Sequence, residues 1–489
     1  MAIHRIRLWF RRWWGRNRVT LAGGCAVVIL AVIFTVRYWE HEEGRAEGRG
    51  VQNPVFRSLE PPLVDLTLLR KAKAKGALCL DGSLPGYHLL RGEGSGSDKW
   101  LLHLEGGGWC TNAESCASRG RTALGSSMYM EAMHFVGILS PYPSQNPDFF
   151  NWNKVKVRYC DGASFAGDVE SEDQSGLKLF FRGQHVWEAI IDQLLSEGLA
   201  KATQAFLTGC SAGGLATFIH CDNFRNRLPK DTTVKCLADA GFFLDEKDIS
   251  GKETVRSFFN EVVHLQGVAK SLPSDCITAM EPPQAYLLSS LLCFFPHELI
   301  KRINTPLFIL NPAYDFWQIQ HILAPPESDP GGQWRRCRMN IRYCNSNQIE
   351  ILQGFRKNLL DSLNKFQRNK KGGMFINSCF VHCQTMSNIT WHSPTSPRLS
   401  NKTIAEAVGD WYFERGVVME IDCPYPFTSQ IEFFFVLHTS PKEYMELAPS
   451  PRRKNRAGCA CIVSRQRIIE TSIAEPAGMR NSSEQRAPS

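Results

Sequence analysis

A sharp strand-to-helix junction constrains this 489-residue chain more than any other feature of its sequence. Ala205-Phe206-Leu207-Thr208, an apolar run of strand length, passes directly into Gly209-Cys210-Ser211-Ala212-Gly213, and from Leu215 to Leu228-Pro229 the pattern is helical. A chain that leaves a strand and enters a helix within five residues must turn tightly, and glycines on both sides of the serine relieve the crowding. Such a turn lifts the Ser211 hydroxyl off the strand end and aims the next backbone N–H, that of Ala212, at the same space. A plain tight turn would use the same residues, so the surrounding pattern has to carry the reading.

That pattern is an alternation of short apolar runs with helical stretches. Trp100–Leu104, Val155–Tyr159, Ala205–Thr208, Val234–Leu237, Leu307–Leu310 and Met374–Ile376 read as strands. Between them lie helices. One has Val186, Ile190 and Leu194 on a single face, another runs from Ile349 to Leu363, and a last spans Ile404–Phe413 with Ile404, Val408, Trp411 and Tyr412 on one stripe. Strands alternating with helices predict an α/β fold, a central and mostly parallel sheet flanked by helices. The stretch from Phe258 to Ile300 is mostly helical and breaks the alternation, which predicts a helical insertion placed as a lid over the sheet.

A serine hydroxyl becomes a nucleophile only when a base takes its proton, and the base needs a carboxylate to orient it. In α/β-hydrolases those partners follow in the order Ser, Asp, His, from loops at the carboxyl ends of later strands. Strand order selects Asp315, which ends the Leu307–Leu310 run through Asn311-Pro312-Ala313-Tyr314, and His382, in the loop after Met374–Ile376. Two competing readings stay open: Asp315 as a helix cap for Phe316 onward, and Asp239, which also ends a strand, as the acid. His382, between Cys379 and Cys383, also fits a structural histidine. Acyl transfer further needs donors for the developing oxyanion. Glu105-Gly106-Gly107-Gly108-Trp109 follows an early strand, and its glycines let backbone approach a substrate oxygen. The N–H groups of Gly108, Trp109 and Ala212 are the candidates, with Trp109 also walling the pocket. No Lys-Ser or Lys-Thr follows, as a phosphate loop would require. This chemistry calls for no metal and no organic cofactor.

Charge and cysteine usage bear on location. The formal charge of +8 is concentrated at the start, where Arg5, Arg7, Arg11, Arg12, Arg16 and Arg18 precede the uncharged run Val19–Val36. A basic flank before an 18-residue apolar run and Glu40, Glu42 and Glu43 after it predict a signal anchor with a cytosolic N-terminus and a luminal remainder. A cleaved signal peptide is the competing reading. The basicity is then topological, and no nucleic-acid partner is expected. Of 17 cysteines, fourteen lie between Cys79 and Cys423 at irregular spacing, which predicts disulfide pairing in an oxidising compartment. Asn388-Ile-Thr and Asn401-Lys-Thr are glycosylation acceptors consistent with it. The expected organisation is a basic N-terminus (1–18), an anchor or signal segment (19–36), a linker (37–60), a catalytic domain (61–426) and a poorly ordered tail (427–489).

The longer blocks carry a resemblance. His103-Leu104-Glu105-Gly106-Gly107-Gly108-Trp109-Cys110, Arg158-Tyr159-Cys160-Asp161-Gly162, Gly209 to Gly214, Asn311 to Gln318, Ser378 to Gln384 and Ile404 to Phe413 resemble the plant pectin acetylesterase family, from roughly Leu63 to Pro426. Animal Notum-type lipid-ester hydrolases share the elbow and the Gly-Gly-Trp loop. The resemblance implies an α/β-hydrolase fold, acetylated pectin as the partner, deacetylation of galacturonic acid residues, an extracellular destination, and a triad on Ser211, Asp315 and His382. It also brings one departure. After Cys423-Pro-Tyr-Pro426 the family's two further cysteines are missing, which calls into question the pairing of Cys423 and of another cysteine. Three rival readings remain. One is a luminal glycosyltransferase, against which stands the lack of an Asp-x-Asp tripeptide. The others are a catalytically silent wall-binding homologue and an esterase for another acetylated polysaccharide or a lipid ester.

Overall fold

Apolar runs too short for helices and too continuous for a half-exposed strand have to be buried on both faces, and one sheet collects them. The structure, a computed structural model, describes residues 61–172, 178–279 and 286–426. Among these, nine strands form one sheet: β1 (Leu66–Leu68), β2 (Gly86–Leu90), β3 (Lys99–Leu104), β4 (Asn153–Val157), β5 (Gln204–Cys210), β6 (Thr233–Asp239), β7 (Leu307–Leu310), β8 (Gly373–Ile376) and β9 (Met419–Ile421). Their order across the sheet is 1-2-4-3-5-6-7-8-9. Strands β3 to β9 are mutually parallel, and β2 alone runs against its neighbours. The α/β expectation and the six strands read from the sequence are present, with ends moved by one or two residues in most of them.

Alternation along each strand divides the core between two faces. Leu102, Leu104, Ala205, Leu207, Leu307, Ile309 and Met374 face one layer, and Leu101, Phe206, Phe308, Leu310 and Phe375 face the other. The first layer is closed by α1 (Gly183–Ser196), α2 (Ala212–Asn226), α3 (Thr254–Leu265), α4 (Tyr286–Phe294) and α5 (Ser346–Leu363). The second is closed largely by α6 (Ile404–Tyr412), whose Ile404, Val408, Trp411 and Tyr412 are buried, as its stripe predicts. Helix α6 starts on a capping box, with the Thr403 hydroxyl and Glu406 exchanging hydrogen bonds.

Three sheet strands were not legible. In β2, the apolar pattern is broken by His88, which is fully buried and bonds the Val64 carbonyl through Nδ1. Strands β1 and β9 are short, partly exposed edges. A separate hairpin, Val169–Glu172 with Lys178–Phe181, was not anticipated either.

All fourteen cysteines from Cys79 to Cys423 are disulfide-bonded. The bridges include Cys79–Cys160, Cys110–Cys116, Cys210–Cys383, Cys221–Cys236, Cys276–Cys293 and Cys337–Cys344. Cys379 and Cys423 are bonded as well, which settles the open question about Cys423 despite the missing family cysteines. The expected anchor Val19–Val36, the linker and the tail from Phe427 lie outside the described residues. Among the described residues no helix is long and apolar enough to cross a membrane.

Candidate active site

The chain reverses direction across the sheet between β4 and β5: β4 lies on one side of β3, and β5 on the other. A crevice opens beyond the carboxyl ends of strands at such a switch, and it is where ligands bind in open α/β sheets. Leu104 of β3 pairs with Gly209 of β5, so the glycine loop and the serine turn leave the sheet side by side.

The turn is tight in the way its sequence requires. Ser211 has φ +59° and ψ −126°, an unfavourable backbone for a residue with a side chain. Its N–H donates to the Asp239 carbonyl at 2.9 Å, and its own carbonyl accepts the N–H of Leu215. Neighbouring backbone leaves no room for larger residues. A Cβ at Gly213 would strike the Leu104 carbonyl, and one at Gly106 would strike the Cys210 carbonyl and the Ser211 Cβ. Ser211 is 6% exposed and stands just ahead of α2, whose first N–H groups lack intrahelical partners and carry partial positive charge.

Asp315 and His382 meet. His382 Nδ1 lies 2.9 and 2.8 Å from the two Asp315 oxygens. Both side chains are nearly closed to solvent, at 1% for Asp315 and 6% for His382. Asp315 also caps the short turn Phe316–Gln318 by accepting the N–H of Gln318, so the capping and histidine-orienting readings hold for one carboxylate together. His382 Nε2 is buried and has no protein partner among the described residues. The loop bearing it is tied back to the serine turn, since Cys383 is bridged to Cys210 with Cα atoms 5.6 Å apart. That bridge limits the Ser211 and His382 Cα atoms to a separation of at most about 13 Å.

Asp239 does not bond to His382. Its carboxylate accepts the N–H groups of Gln384 and Thr385 and the Thr385 hydroxyl, each at 2.7 Å. Burial pushes its carboxyl up to about 6 against the opposing pull of those donors.

The glycine loop is held from below. Glu105 accepts from Arg158 Nε and from the Tyr159 N–H, both at 2.9 Å. Burial alone would raise its pKa, but the Arg158 and Lys156 charges outweigh burial and hold it below the ordinary range. Arg119 donates to the Gly107 and Leu124 carbonyls, and the Tyr159 hydroxyl donates to the Gly108 carbonyl. Gly107 and Gly108 have positive φ, and a Cβ on Gly108 would point into open space. Carbonyls on this loop are thus engaged, while the N–H groups of Gly108 and Trp109 have no acceptor among the described residues.

Aromatic rings close one side. The Trp109 ring meets Phe243 at 5.0 Å, Phe259 at 5.1 Å, Trp317 at 5.6 Å and Phe258 at 6.2 Å between centroids. Trp317 in turn lies 6.1 Å from the His382 imidazole with planes 27° apart. Phe258 and Phe259 belong to α3, so the expected helical insertion does reach the site. The glycosylation candidates differ: Asn401 is exposed in a turn, whereas Asn388 is half-buried with its side-chain oxygen accepting the Gly137 N–H.

Sheet order, serine turn and converging loops define a carboxylic ester hydrolase of α/β-hydrolase fold. The pectinacetylesterase family profile matches residues 58–432, and the chain belongs to that family. Pectin acetylesterase 5 of Arabidopsis thaliana is 52% identical over 429 residues, spanning 87% of this chain and 97% of its own. Pectin acetylesterase 4 of the same plant is 56% identical over 365 residues, 74% of this chain and 87% of its own. A more distant relative is the palmitoleoyl-protein carboxylesterase notum1a of Danio rerio, 31% identical over 53% of this chain and 52% of its own. The solved structure of the Wnt deacylase Notum from Drosophila superposes with a TM-score of 0.59 at 24% identity, covering 74% of this chain and 96% of that one. At that identity the likeness establishes the fold.

Two features of the site escaped sequence reasoning. The Cys210–Cys383 bridge flanks both candidate reacting residues, and the signal was present, since each cysteine adjoins one of them. The Glu105 anchor had a weaker signal, an acidic residue opening a glycine loop with Arg158 ending the neighbouring strand.

Proposed function

We propose that this protein hydrolyses acetyl esters of pectin through an acyl-enzyme on Ser211. His382, oriented by Asp315, takes the Ser211 proton as the hydroxyl oxygen attacks the acetyl carbonyl. The N–H groups of Gly108, Trp109 and Ala212 receive the oxyanion. The C–O bond to the sugar breaks, and the sugar oxygen leaves with the proton from His382. Water, deprotonated by His382, then releases acetate and restores the serine.

The observation that carries this reading is the bidentate approach of Asp315 to His382 Nδ1, which leaves Nε2 protein-unpartnered on a loop bridged to the serine turn. Names of the Arabidopsis relatives supply the substrate, and the aromatic wall supplies the acyl preference. Trp109, Trp317 and Phe243 pack on one another beside His382, and a closed aromatic wall there would suit a short acetyl group better than a long acyl chain. The disulfides and the Val19–Val36 run favour a catalytic part in the secretory lumen or cell wall, joined to the membrane if the N-terminal segment is retained. Purified protein should release acetate from acetylated pectin, and Ser211→Ala should release none while keeping its thermal melt. Turnover by that variant would remove the serine mechanism. Preference for acetylated xylan or for long acyl esters would remove the substrate assignment alone.

A further inference from the structure

Asp239 sits between the nucleophile and the base without touching the reacting atoms. It is the last residue of β6 and pairs in register with Cys210, the residue before Ser211. Its main-chain carbonyl accepts the Ser211 N–H. Its side chain gathers three donors from Gln384 and Thr385, two and three residues beyond His382. Between those residues and His382 stands Cys383, in a left-handed conformation (φ +63°) and bridged to Cys210. One residue therefore grips both halves of the machinery, the serine turn with its backbone and the histidine loop with its carboxylate.

The carboxylate is also unusual in what it lacks. All three donors converge on Oδ2, and Oδ1 is buried with no partner among the described residues. A half-satisfied buried carboxylate is expensive. An asparagine would supply the same acceptor oxygen at no charge cost. Of the groups acting most strongly on Asp239, His382 carries the charge, and its positive form attracts the carboxylate; Asp315 and His321 face His382 as well, and both are left unchanged by a substitution at 239. The charge therefore stands beside an imidazole whose protonated form it favours, the species His382 becomes once it has taken the serine proton.

We propose that Asp239 is a second-carboxylate positioning residue for the hydrolysis, fixing the His382 loop against the serine turn and stabilising the transient imidazolium by its charge. This rests on the Ser211–His382 reading above. Asp315 orients the ring by direct hydrogen bonds, and Asp239 sets the position of the loop and the field in which the proton transfer occurs.

The test is kinetic. Asp239→Asn keeps an acceptor for the three donors and deletes the charge. The expected result on a nitrophenyl acetate is a KM within about twofold of the parent and a kcat lower by about tenfold, the factor that one pKa unit represents. The acid limb of the kcat/KM profile should move to lower pH, because deleting the anion removes an attraction that only the protonated imidazole feels. A merely structural residue would change the melting temperature and would leave that limb in place. Thr385→Val covers the case of poor folding in the first variant. It removes one donor and raises the Asp239 pKa further above its already elevated value, so the carboxyl is neutral over more of the acid range and the limb should move the same way, to lower pH, by a smaller step. Parent-like kcat and profiles in both variants would overturn the proposal, as would equal loss at every pH with the limb unmoved. Ser211→Ala separates the two readings. If it is inactive while Asp239→Asn behaves as the parent, only the positioning role fails; if it stays active, the underlying mechanism fails.

Discussion

Trp317 offers the sharpest test of acyl preference, because its ring lies between the candidate base and the aromatic wall. Replacing it with alanine removes an indole that contacts Trp109, Phe243 and His321 and opens that volume beside His382. An aromatic of this size covers roughly 150–250 Å². A butyryl chain carries two methylenes more than acetyl, and each buried methylene contributes about 0.8 kcal/mol. If both enter the vacated space, the ratio of kcat/KM for butyrate over acetate should rise by about 1.6 kcal/mol, or about fifteenfold. The substitution will also loosen the His382 ring and lower turnover for every ester. The ratio within one variant cancels that loss, and so it is the quantity to measure, with nitrophenyl esters from two to eight carbons. Stability should drop by less than the roughly 3–5 kcal/mol of a fully buried tryptophan, since Trp317 is only half-buried. An unchanged butyrate-to-acetate ratio in folded protein would refute the wall as the source of acyl selectivity.

Asp315→Asn should keep the cap on Phe316–Gln318, because asparagine caps as well as aspartate, yet lower kcat by roughly 10³–10⁴-fold through the wrong histidine tautomer. A variant retaining a tenth of parental turnover would argue that the His382 orientation does not depend on this carboxylate. Exchange of Cys210 and Cys383 together for serine should lower kcat and cost roughly 2–5 kcal/mol in a denaturant titration. Full activity in the double variant would show that the bridge does not help hold the histidine loop. Acid should destabilise the fold between pH 6.5 and 4. His88, His103 and His220 are buried with pKa values lowered by desolvation, His220 to about 4, so the unfolded chain binds protons that the folded one refuses. Their contribution is complete above pH 6.5 and is lost as pH falls, at about 1.4 kcal/mol per group per pH unit. Asp161 and Asp239, raised by burial to about 6, act in the opposite direction over part of that window. Glu246 is raised by burial like those two, while desolvation lowers His297 and His321 like the other histidines; five groups outweigh three, so the melting temperature should fall on going from pH 6.5 to 4.5, and a rise would reverse that balance.

Much of the fold was legible because parallel strands buried on both faces leave unbroken apolar runs. Leu307–Leu310 and Ala205–Thr208 cannot be anything else at that length between turn residues. Strand β2 was hidden because a buried position was filled by His88, whose polarity is met by a backbone carbonyl that no local pattern reveals. Asp239 and Asp315 were both plausible acids for a good reason: β6 and β7 are adjacent and end at the same edge, so both carboxylates reach the histidine loop. Which of them touches the ring is decided by the path of residues 377–385. There Asn377 bonds to Gln384 and Asp239 captures Gln384 and Thr385, which leaves His382 to Asp315.

That allocation also explains why the loop can be so irregular. Residues 378–387 form neither helix nor strand, and loops of this kind ordinarily adjust their position at little cost. Here the loop is fixed at both flanks of the histidine. Ser378 N–H binds Asp422 and Cys383 is bridged to the serine turn, while the next two residues are bound to Asp239. The Thr385 carbonyl in turn accepts the Ile138 N–H. A base must stay within a few tenths of an ångström of its productive position for proton transfer to compete. The chain places covalent and charged anchors beside His382, so the imidazole spends one nitrogen on Asp315 and keeps Nε2 free of protein partners among the described residues, as the proposed base requires.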